Sequence, residues 1–186
     1  MNMKNVIAEA FAKMVRQKGV DKVTVKALID VCDISRQTFY YHFQDITDVI
    51  EWSLERATQE MLSRSLQEDT PQRAIRIFVS STVENYELMC KMMESRKREQ
   101  MEKMLLEASR KFFESILLAR YPELPLQHSD LEVMLDFWAC GVTGILFKYC
   151  GRKRLDIDAF SNQIYRLLSE QMLGSLKEPE NEVSEK

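Results

Sequence analysis

An α-helical spacing of apolar residues runs through almost all of the 186-residue chain and restricts its fold more than any other feature. In the first segment, apolar side chains recur every three or four residues between Val6 and Val15, which places them on one side of a helix. Gly19 is suited to end that helix. Seven further segments give helical signals, whereas the two-residue alternation of a half-buried strand is not visible. The sequence therefore predicts an all-α protein.

Capping residues mark the ends of the predicted helices. Thr24 and Ser35 each precede a short apolar stripe and are typical N-caps, so we expect a second and a third helix close together. Asp45, with Asp48 three residues later, predicts the start of a fourth helix that ends near residue 66. Four more helices are predicted, over residues 71–94, 98–121, 129–150 and 157–173.

Composition excludes several classes of protein. With 45% apolar and 30% charged residues, and only five Gly and four Pro, the chain is not collagen-like, of low complexity or disordered throughout. No apolar run approaches the roughly 18 residues that a membrane span needs, and residues 1–11 lack the pattern of a signal peptide. We therefore expect a soluble cytoplasmic protein that does not bind a membrane. Only the last ten residues, 177–186, are predicted to be disordered.

Neither an active site nor a metal site is predicted. The four cysteines are far apart, have no CxxC pairing, and are expected to be reduced and mostly buried. The two histidines are remote from each other, and no nucleophile or paired-carboxylate motif accompanies them. An enzyme is thus the least favoured class, and we predict no catalytic residue, cofactor or metal. Spatial convergence of distant residues is the remaining route to an active site.

The charge is distributed unevenly along the chain. Residues 1–50 carry seven Lys or Arg and six Asp or Glu residues, whereas the rest carries 19 and 23. A weakly basic N-terminal part on an acidic body fits a nucleic-acid-binding module joined to a second unit. The difference is small, so the motifs decide between function classes.

The second and third predicted helices form a helix-turn-helix, in which the first helix crosses the DNA backbone and the second enters the major groove. From Thr24 to Asp45 the sequence reads TVKALIDVCDISRQTFYYHFQD. This stretch, with the preceding helix that ends at Gly19, resembles the N-terminal DNA-binding domain of the TetR family of bacterial transcription regulators. The resemblance covers about the first 50 residues. It implies a three-helix DNA-binding head followed by a helical domain for effector binding and dimerisation.

Two positions depart from the family pattern. The turn carries Cys32 and Asp33 where relatives usually have Gly, and we expect Asp33 to adopt the left-handed conformation there. The fourth helix begins with Ile46 where relatives usually have a phosphate-binding Lys, which removes one expected contact to the DNA backbone. The pattern RQTFYYHFQDI looks closest to a subgroup that includes regulators of dihydroxyacetone kinase operons.

The candidate DNA interface lies mainly on the third helix. Arg36 and Gln37, at its start, carry donors that suit guanine and adenine, and Tyr40 and Tyr41 are long enough to reach phosphates or thymine methyl groups. The resemblance implies a phosphate contact for His42, and a structural hydrogen bond to the fourth helix is the alternative. The predicted DNA-binding residues are Thr24, Lys26, Ser35, Arg36, Gln37, Thr38, Tyr40, Tyr41 and His42.

The larger C-terminal part offers a candidate effector pocket. Several of the 11 methionines fall between residues 89 and 104, and methionine side chains either line adaptable pockets or fill irregular cores. The resemblance implies that a pocket lies among the fourth to seventh predicted helices. The candidate pocket residues are Met89, Met92, Met93, Phe112 and Trp138.

The seventh predicted helix is apolar on more than one face and contains small residues that allow close helix packing. A partner chain would bury this surface, and with the eighth helix it would form a four-helix interface across a two-fold axis. The alternative is a helix central to its own domain. The candidate interface residues are Gly141, Gly144, Phe147, Phe160, Ile164 and Leu168.

Together these features predict a homodimeric transcription regulator that binds a pseudo-palindromic double-stranded DNA operator under the control of an effector. We expect residues 1–45 to bind DNA and residues 46–176 to bind the effector and dimerise. One alternative is a regulator whose signal is a protein partner. Another is a helical interaction module that does not bind DNA.

Overall fold

The computed structural model describes residues 2–124, 126–151 and 155–176, with the backbone alone over 170–176. The predicted tail, 177–186, lies outside the described residues. Within these ranges the chain forms nine α-helices and one 3-10 turn (Val20–Lys22), and no strand occurs. The all-α prediction is confirmed. The helices are α1 (Met3–Lys18), α2 (Val25–Cys32), α3 (Arg36–His42), α4 (Ile46–Leu66), α5 (Pro71–Glu84), α6 (Tyr86–Met93), α7 (Arg98–Arg120), α8 (His128–Tyr149) and α9 (Ile157–Leu176).

Two predicted helix boundaries are wrong. The predicted helix 71–94 is two helices, because Asn85 leaves the helical conformation at φ −101° and ψ 7°. Its side-chain amide donates to the carbonyl of Ser81 at 2.9 Å, a local bond with which Asn competes against regular helix. At the other end of the chain, α9 continues through Gly174 to Leu176.

The apolar side chains form two cores. The first, which we call the head core, joins α1, α2, α3 and the start of α4, and it also buries Met92 of α6 and Met101 of α7. The second, the body core, joins α5, α7, α8 and α9. Four large apolar side chains of this core are almost completely buried: Phe11, Leu28, Phe39 and Phe43.

Helix α4 connects the two cores. Its N-terminal residues Val49 and Ile50 are buried in the head core, and further along it packs against α5 and α7. Helix α6 lies on α1, α8 packs on α7, and α9 packs on α5. Among the described residues, no helix combines enough length and apolar character to span a lipid bilayer.

Three of the predicted interface residues belong to the interior of the chain. Phe160, Ile164 and Leu168 are at most 8% exposed, because this side of α9 packs into the body core against α5. Phe147 is half-buried, and its ring centroid lies 6.4 Å from that of Tyr86. The helical period alone showed that these residues are apolar on one face, but not which neighbour covers that face.

The outer face of α8 has a different set of apolar and small residues. Val133 and Phe137 are 69% and 58% exposed, and Cys140 and Gly144 continue the same stripe at helical spacing. A Cβ atom built on Gly141 or Gly144 meets no heavy atom within 4 Å. We call Val133, Phe137, Cys140 and Gly144 the α8 stripe. All four residues of this stripe are exposed on the surface of the single chain.

The cysteines are more accessible than predicted. Cys140 is exposed and the other three are half-buried, so the expectation of mostly buried thiols is wrong. All four are free thiols. The pKa of Cys150 is raised to about 11, mainly by burial and to a smaller extent by the nearby Cys90. The pKa of Tyr86 is raised to about 12, mainly by a hydrogen bond with Cys90 and to a smaller extent by burial. Cys150 and Tyr86 are therefore protonated at neutral pH.

Candidate nucleic-acid interface

Side-chain caps fix the start of each helix in the candidate DNA interface. Thr24 Oγ1 accepts a hydrogen bond from the backbone N–H of Ala27 at 3.2 Å, and Ser35 Oγ accepts one from Thr38 at 2.9 Å. Such caps contribute about 0.5 to 2 kcal/mol each. The N-cap predictions for Thr24 and Ser35 are confirmed, and the first turn of each short helix is held in place.

The turn between α2 and α3 depends on a residue with positive φ. Asp33 has φ 50° and ψ 51°, which is the left-handed conformation expected for it from the sequence. Its backbone N–H donates to the carbonyl of Ile29, and the N–H of Ile34 donates to the same carbonyl at 3.2 Å. Asp tolerates this conformation better than most residues. The chain therefore reverses here without a glycine.

Helix α3 has one buried and one exposed side. Phe39 is 0% exposed and its ring centroid is 6.1 Å from that of Phe43, so this side anchors α3 in the head core. Arg36 and Gln37 are exposed, and so are Tyr40 and Tyr41, at 55% and 83%. Two exposed tyrosines beside an arginine and a glutamine give this side donors, acceptors and apolar rings, the groups that read base edges and phosphates.

The remaining predicted DNA-binding residues lie around this surface. Lys26 is exposed on α2. Thr38 is half-buried, and its hydroxyl lies 2.8 Å from that of Ser35. The hydroxyl of Thr38 therefore already has a hydrogen-bond partner at the helix cap. The His42 ring contacts the ring of Tyr41 at a centroid distance of 4.9 Å. No hydrogen bond from His42 to the start of α4 occurs within the part of the chain that is described.

The start of α4 has its own cap. Asp45 accepts from the N–H of Asp48 at 3.0 Å, and Asp48 accepts from the N–H of Gln44 at 2.9 Å, so the predicted variant of the capping box is confirmed. Ile46 is half-buried against the head core. Its side chain therefore contributes packing at a position where a charged residue would contact phosphate.

Sequence reasoning missed a contact between the head and the body. In the turn after α6, the backbone N–H of Arg96 bonds to both carboxylate oxygens of Asp21 at 3.2 Å, and Lys97 Nζ donates to Thr47 Oγ1 at 2.7 Å. These pairs are separated by 75 and 50 residues, so no local pattern could reveal them. They place the turn against the side of the head.

A cavity of about 340 Å³ lies between α1, α4, α5, α6 and α7. Met89 and Met92 line it, as predicted, together with Phe11 of α1. Its wall is mostly apolar and also carries Arg64 and Glu60 of α4. A ligand in this cavity would contact the head through α1 as well as through α4.

The other three predicted pocket residues lie elsewhere. Phe112 is fully buried in the body core, and Met93 packs against the head core. Trp138 lines a different and smaller cavity of about 60 Å³, next to Phe113 and Leu168. The prediction places all five in one site, but the structure distributes them over four separate surroundings.

The N-terminal part of the chain matches a known family. Residues 7–51 match the sequence model of the family described as bacterial regulatory proteins, tetR family. No curated protein matches the chain significantly by sequence. The matched range contains most of α1, all of α2 and α3 and the start of α4, and so the whole helix-turn-helix described above.

Solved structures extend the similarity in fold to nearly the whole chain. The dihydroxyacetone kinase operon activator DhaS is 18% identical, with 92% of this chain and 97% of that chain covered and a TM-score of 0.69. A putative TetR-family transcriptional regulator from Syntrophomonas wolfei str. Goettingen is 16% identical, with 93% and 96% covered and a TM-score of 0.60. A transcriptional regulator from Aquifex aeolicus VF5 is 18% identical, with 91% and 99% covered and a TM-score of 0.60.

These similarities agree with the geometry of the head. The capped α2, the left-handed Asp33 turn and the exposed side of α3 build a helix-turn-helix, and the family match covers the same residues. Residues 7–51 therefore match the tetR family of bacterial regulatory proteins, and this matched segment contains the whole helix-turn-helix.

Proposed function

We propose that the protein binds a pseudo-palindromic operator as a homodimer and that an effector bound in the C-terminal domain controls this binding. In this proposal residues 1–45 bind DNA, and residues 46–176 dimerise and receive the signal. The observation that carries it is the outward side of α3, which presents Arg36, Gln37, Tyr40 and Tyr41 on a helix fixed by its cap and by Phe39.

A homodimer fits the geometry of a pseudo-palindromic DNA site. Two recognition helices related by a two-fold axis reach successive major grooves when they are about 34 to 36 Å apart. The α8 stripe supports this arrangement, since an exposed apolar face on a soluble regulator is typical of a protein interface. The interface we propose therefore uses Val133, Phe137, Cys140, Gly141 and Gly144, without the buried residues of α9.

Random-site selection followed by footprinting tests operator binding directly. We expect the purified protein to select duplexes that contain two related half-sites, and its affinity to fall steeply as salt rises because bound phosphates release counterions. If selection returned no specific duplex, the interaction-module alternative would replace the proposal.

Single substitutions in the head should separate base recognition from phosphate binding. We expect Arg36→Ala or Gln37→Ala to cost about 1 to 3 kcal/mol on the selected operator and to relax the preference at one base position. Lys26→Ala should weaken binding to all sequences alike and reduce the salt slope by about one unit for each bound protomer. Fluorescence anisotropy on operator and random duplexes measures both effects. Equal losses on the two duplexes for Arg36→Ala would assign that residue to phosphate binding.

The cavity between α1, α4, α5, α6 and α7 supports control by a small molecule. Its volume of about 340 Å³ falls in the range of ligand sites, and its wall combines apolar side chains with a few polar groups. A ligand shifts the protein between two states only through a difference in affinity for them. Because Phe11 belongs to the head and Met89 to the body, a ligand between them contacts both units and would sense a movement of one against the other.

Met89→Trp should fill much of the cavity and remove the response to the effector, while binding to the operator without ligand stays nearly unchanged. Trp52, on α4, reports on the head because its ring lies 5.9 Å from that of Phe43. A metabolite panel that starts with dihydroxyacetone, chosen because DhaS is named for the dihydroxyacetone kinase operon, would be screened against the unaltered protein for changes in tryptophan fluorescence, and against all variants for changes in operator affinity. Leu118→Trp, on the exposed surface of α7, is the matched control. A ligand that binds the cavity but leaves operator affinity unchanged would favour control by a protein partner.

A further inference from the structure

Three consecutive cations lie between α6 and α7: Arg96, Lys97 and Arg98, which we call the basic turn. All three side chains are exposed. None forms an ion pair with a carboxylate of the described residues, although Lys91 and Lys103 nearby are both paired with glutamates. The basic turn therefore keeps its positive charge available for an external anion.

Two hydrogen bonds hold the basic turn against the head. The backbone N–H of Arg96 donates to Asp21, and the ammonium of Lys97 donates to the hydroxyl of Thr47 at 2.7 Å. Because Thr47 is neutral, this second bond positions the ammonium and leaves its charge unpaired. The packing of α6 on α1 supports the same placement.

The two residues that hold the basic turn, Asp21 and Thr47, lie next to the ends of helices in the proposed DNA interface. Asp21 lies three residues before Thr24, the N-cap of α2, and Thr47 lies in the first turn of α4, five residues after the end of α3. The N-termini of both helices carry N–H groups that favour anions. At the start of α4, however, the side chains are the apolar Ile46 and the capping carboxylates of Asp45 and Asp48. Lys97 adds a cation at this place.

We propose that the basic turn binds the phosphate backbone of DNA beside the recognition helix, so that the C-terminal domain itself contributes to DNA binding. This inference rests on the proposed operator binding by the head. The balance of charge supports it, because residues 1–50 carry seven basic and six acidic residues and attract a polyanion weakly on their own. The three cations of the basic turn lie outside that count, and two of them are bonded to the head, Arg96 through its backbone to Asp21 and Lys97 to Thr47.

The test compares the salt dependence of DNA affinity among variants of the full chain. Lys97→Gln removes the charge but keeps an amide that can donate to Thr47, whereas Thr47→Val removes the bond and keeps the charge. Lys111→Gln is the control, because it removes one exposed cation about 20 Å further along α7. The probe is a fluorescent 30-base-pair duplex of random sequence, titrated between about 50 and 200 mM NaCl.

We expect Lys97→Gln to reduce the slope of log affinity against log salt by about one unit for each bound protomer, and the triple Gln variant of the basic turn by about three for each bound protomer. Thr47→Val should lower the slope by less than Lys97→Gln does, because the ammonium remains on a turn that the bond from Arg96 to Asp21 still holds, and Lys111→Gln should leave the slope unchanged. Equal slopes for Lys97→Gln and Lys111→Gln, with DNA binding intact, would overturn this inference alone. A decrease for Thr47→Val as large as that for Lys97→Gln would also overturn it, because the slope would then follow the bond to the head and not the charge of Lys97. Failure of the unaltered protein to bind this duplex or any selected one would overturn the proposed function as well.

Discussion

Phe137→Glu should separate the proposed homodimer into monomers and abolish tight operator binding. Phe137 is 58% exposed at the middle of the α8 stripe, so a two-fold interface would bury the new carboxylate of each protomer without a partner. If each buried charge costs about 3 kcal/mol, the pair weakens association by about 10⁴-fold. A monomer presents one recognition helix to the operator and loses the contacts to the second half-site.

Sedimentation velocity at micromolar concentration measures the oligomeric state, and anisotropy on the selected operator measures the loss of affinity. Gly144→Glu is a second, independent variant, because a Cβ at this position meets no heavy atom within 4 Å and the single chain accommodates it. Leu66→Glu is the control, since Leu66 is exposed at the end of α4 and does not belong to the α8 stripe. Circular dichroism should show all three variants to be helical. A dimeric Phe137→Glu variant, or a monomeric unaltered protein, would contradict the proposed interface.

The fold could be predicted from the sequence wherever local signals decide. Three helices begin at the caps that the sequence predicts, Thr24, Ser35 and Asp45. Such caps are predictable because the capping side chain bonds to a backbone N–H only two or three residues further along the chain. The break at Asn85 was missed because Asn also occurs inside helices, and only its bond to Ser81 shows that it leaves the helical conformation. Which face of a helix packs inward is likewise a non-local question. For that reason Phe160 was assigned to an interface although α5 covers it.

The same distinction applies to the candidate sites. The helical spacing of the residues next to the buried Phe39 determines which side chains of α3 point outward, so this surface could be predicted from the local sequence. The cavity proposed for an effector brings together five helices, and the surplus of methionines points to Met89 and Met92 but not to the contribution of Phe11. The basic turn is visible as three adjacent cations, yet its place beside the head depends on its contact with Thr47, 50 residues away. Contacts between distant residues require the tertiary structure.

Phe39→Ala should destabilise the head by about 3 to 5 kcal/mol, the usual cost of removing a buried phenyl ring from a core. Phe39 is 0% exposed, and its ring lies 5.5 Å from Tyr40 and 6.1 Å from Phe43 by centroid distance. Because this ring fixes α3 against the rest of the head, its loss also removes the rigid placement of Arg36 on the opposite side. Specific DNA binding should therefore fall together with stability.

Urea denaturation of the full chain measures the loss of stability, and anisotropy measures binding to the selected operator. Val31→Ala is the matched control in the same motif, because Val31 is 60% exposed and its truncation should change stability by no more than about 0.5 kcal/mol. The core around Phe39 also contains Met92 and Met101, so unfolding of the head should expose part of α6 and α7. If Phe39→Ala lowered stability by less than about 1 kcal/mol and left operator binding intact, then α3 would not depend on this core for its position.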